Sequence, residues 1–205
     1  MGYKKYFRTV LAQKFPDAHT SLLQDMDERY LTVSKDTQFS KTSTNPLDKR
    51  LDLMAYFLST ILTLEANKVG VNQVREVCMA IAKEYVRPKT KLQAWFKKLP
   101  SKLIPFPLTS IFLKIMDKKV HKKDHQDGFL AKLVTGKDET YGFGYGIDIL
   151  ECGICILFRK HQAEKYVSIL CEVDKITSSL AGLELIRQGT IANGAKKCDF
   201  RFRKK

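Results

Sequence analysis

At 205 residues and 44% hydrophobic, the chain can bury one ordinary core, and its odd count of five cysteines argues against a disulfide framework. The longest apolar stretch, Leu51 to Leu64, is broken by Asp52, Ser59, Thr60 and Thr63 and is too short to cross a bilayer, and no apolar signal sequence follows Met1. These features point to one domain over residues 1–205 in the reducing cytoplasm, where cysteines are free, catalytic or metal-bound.

The first fourteen residues alternate aromatic and basic side chains and predict a short helix before Phe15-Pro16. Leu22, Leu23, Met26 and Tyr30, at helical spacing, predict a second. Thr32 to Asn45, dominated by Ser, Thr, Lys and Asp, predicts a surface loop. Asn45-Pro46-Leu47-Asp48 then has the composition of a helix start: an Asn cap, a Pro in the first turn and an acid at the positive end of the dipole. The helix it opens runs to about Lys68 and is apolar over much of its circumference, as a central packing helix should be. Gly70 is expected to end it and Asn72 to cap the next, whose buried stripe of Val74, Val77, Cys78, Ile81 and Tyr85 makes Cys78 a small core residue.

Charge then becomes the dominant feature. The formal net charge is +14, and between Lys83 and Asp124 twelve Lys or Arg stand against three acids. Such a field attracts anions, so 83–124 is a candidate surface for nucleic acid, acidic lipid or another anionic partner, and equally a solvated basic face. Leu92, Trp95, Phe96 and Leu99 form the apolar edge of a basic helix, and Leu108 to His121 resumes the helical pattern. His121 and His125 are spaced for a helical metal pair but sit among Lys119, Lys122 and Lys123, where like charge disfavours a cation.

After Gly128 the period shifts from helix to strand. Phe129 to Val134 and Tyr141 to Leu150 read as strands, one or two helices follow from Cys155 to about Ser179, and Leu183 to Ala192 leads through an Asn193-Gly194 turn to a last strand. There Cys198, Phe200 and Phe202 alternate with Asp199, Arg201 and Arg203. The expected fold is α+β: a mainly helical part, 1–127, packed on a C-terminal antiparallel sheet with one or two inserted helices, 128–205, which carries the candidate site.

That site is marked by four of the five cysteines, Cys152, Cys155, Cys171 and Cys198, gathered in the last third of the chain. Cys152 stands where a strand hands over to a helix, and a helix N-terminus stabilises a thiolate, so it is the first candidate for a lowered pKa. Cys152-Gly153-Ile154-Cys155 also spells a C-x-x-C, but zinc would need Cys171 and Cys198 at irregular spacing, and no metal or other cofactor is expected. Cys171 and Asp174 are three apart and share a helical face. Asp199 should point away from Cys198 in a regular strand, and His161, nine residues after Cys152, is a possible base beside a solvent-facing alternative.

The run Cys152 … Leu170-Cys171-x-x-Asp174 … Leu185-x-Arg187-x-x-Thr190-Ile191-Ala192-x-Gly194-x-x-x-Cys198-Asp199-Phe200-Arg201 resembles the L-2-amino-thiazoline-4-carboxylic acid hydrolase family. Its close is also distantly similar to the 4-vinyl reductase domain, a small-molecule-binding module. The first resemblance implies hydrolytic opening of a cyclic C=N bond, in the type case giving an N-carbamoyl cysteine. It implies Cys152 or Cys171 as nucleophile, Cys198 in the same thiol pocket, Asp174 as acid/base or amidine anchor, and Asp199 as a second carboxylate or orienting group. Arg187 is then a clamp for a substrate carboxylate or, equally, an outward-facing strand arginine. Thr190, which also suits a hairpin-shaping role, and His161 are further candidate substrate contacts read from the residues themselves. Cys155 and His161 fall outside the family pattern. The alternatives are a non-enzymatic small-molecule sensor and a basic membrane-surface or nucleic-acid-binding protein.

Overall fold

The computed structural model describes residues 2–88, 108–136, 138–140, 145–180 and 182–204. The basic helix expected over Leu92–Leu99 lies outside them. Among the described residues the chain is α+β, with seven α-helices, most of them N-terminal, and a four-stranded antiparallel sheet in the C-terminal half.

Helices α1 (Lys4–Lys14) and α2 (His19–Val33) bury Phe7, Val10 and Leu11 and then Leu22, Met26, Tyr30 and Val33, as the aromatic and leucine spacing predicts. The stretch expected to be a loop is instead a 3₁₀ helix, Ser34–Lys41. Its hydroxyls turn back on the chain, Thr37 donating to the Ser34 carbonyl and Thr42 to that of Phe39. Ser and Thr therefore favour a tight local helix here, where composition alone suggested irregular backbone.

Asn45 does more than cap a helix. Its Oδ1 accepts the Leu47 amide at 3.0 Å, while its Nδ2 donates to the Phe129 carbonyl at 3.0 Å and the Lys122 carbonyl at 3.3 Å. The neighbouring Asp48 accepts the Phe129 amide at 2.8 Å and the Ser43 hydroxyl at 2.6 Å. Two fully buried polar side chains thus tie the helical half to the entry of the sheet, and a 3₁₀ turn, Asp48–Arg50, delays the α-helix to Leu51. Helix α3 (Leu51–Ala66) then buries Leu51, Ala55, Tyr56, Phe57, Leu58, Ile61 and Leu64. At about 1.5 to 3 kcal/mol for each large apolar side chain, this is the largest single contribution to the core.

Lys68, not Gly70, takes the left-handed conformation after α3 (φ 60), and Gly70 rather than Asn72 occupies the cap position of α4 (Val71–Val86). Cys78 on α4 is fully buried, and burial pushes its thiol up to about 12, so it is an inert core residue. Helix α5 (Leu108–Val120) leads to β1 (Leu130–Val134) and β2 (Tyr145–Glu151). Helices α6 (Gly153–Lys160) and α7 (Val167–Leu180) come next, then β3 (Leu183–Ile186) and β4 (Cys198–Lys204).

The sheet order is β1-β2-β4-β3. Its register puts Ile149 opposite Cys198 and Ile147 opposite Phe200 on the inner face, and Asp148 opposite Asp199 and Gly146 opposite Arg201 on the outer. The inner face packs with Leu51, Val120 and Phe129. The outer face is not a solvated surface, because Asp148, Asp199 and Arg201 are all buried. Arg201 donates to Asp148 at 2.8 Å and to the Glu139 carbonyl at 2.6 Å, and Lys197 donates to Asp148 at 2.6 Å. Gly146 makes room for this: a Cβ there would stand 2.6 Å from the Arg201 Cδ and 2.5 Å from the Phe200 carbonyl.

Candidate active site

Cys152 is the cap residue of α6, with extended backbone (φ −107, ψ 108) between β2 and the helix, as the strand-to-helix reading predicts. Gly153 lets this turn press against α3: a Cβ there would meet the Leu51 side chain at 3.2 Å and the Asp127 carbonyl at 3.0 Å. Cys155 follows one turn on, buried. Helix α7 supplies Cys171 and Asp174, β4 supplies Cys198, and Arg187 follows the end of β3. Cys198 interacts electrostatically with Cys152, Asp174 and Arg187, and Cys171 with Cys152, Asp174, Arg187 and Cys198. The structure therefore brings together, beside the inner face of the sheet, four thiols, one carboxylate and one guanidinium from four separate elements.

The thiols are not equivalent. Cys152 and Cys155 share a hydrogen bond, which raises Cys152 well above the usual thiol range and lowers Cys155. Of the pair, Cys155 is therefore the thiol that ionises first. The Arg159 charge also favours the Cys155 thiolate, and the Ile154 and Cys155 amides at the start of α6 offset part of the rise at Cys152. Burial pushes Cys171 up to about 12, against the pull of Arg187, and Cys198 up to about 11, although Cys198 Sγ accepts the Ile191 amide at 3.2 Å. The lowered pKa expected at Cys152 thus belongs to its partner Cys155. The C-x-x-C itself was the signal for this, since a residue three after the cap points back toward it.

Asp174 is partly buried, with 33% of its side chain exposed. Burial raises its pKa to about 6, opposed by the charges of Arg50 and Arg187. Arg187 is 6% exposed and heavily engaged: Nη2 donates to the Cys171 carbonyl at 3.0 Å, Nη1 lies 3.5 Å from Asp174, and the guanidinium sits 5.0 Å from the Phe200 ring centre.

The other predicted residues lie elsewhere. Asp199 faces outward, its carboxylate accepting the Gln188 amide at 3.1 Å and the Gly189 amide at 2.7 Å, so it braces the β3–β4 connection away from the thiols. Thr190 begins the 3₁₀ turn Ile191–Asn193, and its carbonyl accepts the Asn193 and Ala195 amides at 3.0 Å; its buried hydroxyl has no hydrogen-bond partner. His161 is at the far end of α6 from Cys152, about 13 to 14 Å along the helix, and its Nε2 lies 3.0 Å from Asp36. Among the described residues no three His, Cys, Asp or Glu side chains are placed to hold a metal ion.

A profile of the L-2-amino-thiazoline-4-carboxylic acid hydrolase family matches residues 52–202, roughly three quarters of the chain and all of the thiol cluster. The chain belongs to this family. No curated protein and no solved structure matches it. In this member of the L-2-amino-thiazoline-4-carboxylic acid hydrolase family, the terminal Cys198-Asp199-Phe200-Arg201 motif divides between the two faces of the sheet. Cys198 and Phe200 join the thiols, while Asp199 and Arg201 hold the outer face.

Sequence reasoning passed over Arg50. It is exposed, has no ion pair among the described residues, and its charge acts on Asp174 across the site.

Proposed function

We propose that the protein is a small-molecule hydrolase that adds water at the carbon of a cyclic, amidine-like C=N bond and so opens the ring, with the thiol and carboxylate cluster as its active site. The observation that carries this reading is that Cys171 and Cys198 each interact with both Cys152 and Asp174, a carboxyl poised near pH 6, so that thiols and carboxyl share one neighbourhood. For a 2-amino-thiazoline-4-carboxylate substrate, Cys152 Sγ adds to the carbon between nitrogen and sulfur as its proton passes to the Cys155 thiolate. Asp174 holds the protonated amidine and donates a proton as the ring carbon–sulfur bond breaks. Water then displaces Cys152 from the carbon, leaving the carbamoyl product and the free thiol of the opened ring; the net change is addition of one water. Cys171 and Cys198, whose thiols stay protonated, wall the site. Arg187 anchors Asp174, and Asp199 orients the β3–β4 connection.

The test is incubation of the reduced protein with 2-amino-thiazoline-4-carboxylate, followed by mass spectrometry. Ring-opened product carrying one added water should form, and Cys152→Ser should abolish its formation while remaining folded. Binding of the ring without turnover would replace this reading with that of a small-molecule sensor.

A further inference from the structure

We propose that Arg50 is the specificity residue of this site, recognising a carboxylate on the ring and so restricting the site to anionic heterocycles. This rests on the hydrolase reading for its choice of ring, and it departs from the sequence expectation that Arg187 is the carboxylate clamp.

The geometry leaves Arg187 little to offer. Its guanidinium is nearly buried, divided between Asp174 and the Cys171 carbonyl, and covered on one face by Phe200. A substrate carboxylate would have to displace these contacts to reach its donors.

Arg50 supplies that charge. It sits at the head of α3, and the next residue, Leu51, packs against Gly153, directly beside Cys152. Leu51 also shares the inner cluster with Cys198, against which Cys152 and Ile191 pack. The chain therefore holds the Arg50 backbone at the edge of the thiol cluster. Its side chain is exposed, it makes no ion pair among the described residues, and it lies near enough to act on Asp174 without bonding to it. Arg50 therefore offers donors of the kind that Arg187 has already committed. A guanidinium with its fork free can grip a carboxylate through two parallel hydrogen bonds, which the compact ammonium of lysine cannot reproduce.

The experiment is calorimetric binding of 2-aminothiazole-4-carboxylate, an aromatic analogue that resists hydrolysis, and of its carboxamide, to the wild type, Arg50→Gln and Arg50→Lys. The acid should bind the wild type and lose roughly 10- to 100-fold in affinity to Arg50→Gln. Arg50→Lys should restore part of the loss, and the carboxamide should bind wild type and Arg50→Gln alike. Unchanged affinity of the acid for Arg50→Gln overturns the assignment, as does an equal loss for acid and carboxamide, or failure of the acid to bind the wild type. Turnover of the thiazoline is measured separately, so an Arg50-dependent affinity without turnover would keep this inference and reject the hydrolase reading.

Discussion

The two faces of the sheet carry comparable polar chemistry and treat it in opposite ways. On the outer face Asp148 and Asp199 stand directly opposite each other, an arrangement that like charge makes unfavourable. Each is compensated, Asp148 by Arg201 and Lys197, and Asp199 by two backbone amides. On the inner side Asp174 keeps a raised pKa despite two nearby arginines, and one thiol pair shares its protons. A buried polar group that is fully paired contributes to stability and specificity of fold, whereas one held unpaired retains free energy for binding or proton transfer. The difference supports the proposed site beside the inner face, although two of the four motif residues Cys198 to Arg201 lie on the outer one.

Substitutions on the two sides should therefore separate activity from stability. Asp174→Asn is expected to lower kcat by roughly 100- to 10,000-fold, the usual yield of a proton-transfer group, with little change in the urea midpoint. In the wild type, activity should fall as pH rises through about 6, because the acid form of Asp174 is lost there; a profile without that inflection would remove Asp174 as the proton donor.

The outer face should respond in the opposite sense. Arg201→Met leaves the buried Asp148 with Lys197 alone and should cost about 3 kcal/mol in urea unfolding, while the activity per folded molecule stays within twofold. Asp199→Asn weakens the two bonds to the Gln188 and Gly189 amides and should cost about 1 to 2 kcal/mol. An activity loss in either variant beyond its loss of folded protein would blur the division between the faces.

The smallest perturbation is chemical. Limiting iodoacetamide on the reduced protein should label the Cys152–Cys155 pair first, Cys171 and Cys198 more slowly, and Cys78 only on unfolding. Peptide mapping reads the order, and early labelling of Cys171 would transfer the nucleophile role to it.

Much of the fold was legible because its signals are local. The alternation in Cys198 to Arg203 announced a strand with two faces, and the run of apolar residues after Asn45 announced a central helix. Asp199 was rightly turned away from Cys198 by that alternation. Legibility failed where a residue answers to a distant partner. Asn45 reads as a helix cap, but most of its hydrogen bonds go to a segment more than seventy residues on. Arg201 reads as an outward arginine of an amphipathic strand, yet it is buried because Asp148 and the Glu139 carbonyl receive it. Cys155 was set aside as a departure from the family pattern, although its position one turn after Cys152 couples the two thiols.

The amino-acid sequence by itself determined the class of fold, the strand that carries Cys198 and the gathering of thiols in the last third of the chain. These follow from backbone periodicity and composition, which neighbouring residues settle among themselves. Only the tertiary structure decided which charges are spent and which remain available: Arg187 committed to Asp174, Asp199 to two amides, Arg201 to Asp148, and Arg50 left unpaired beside the thiols. Desolvation and pairing are set by whatever the fold packs around a group, and those neighbours come from segments the local pattern does not connect.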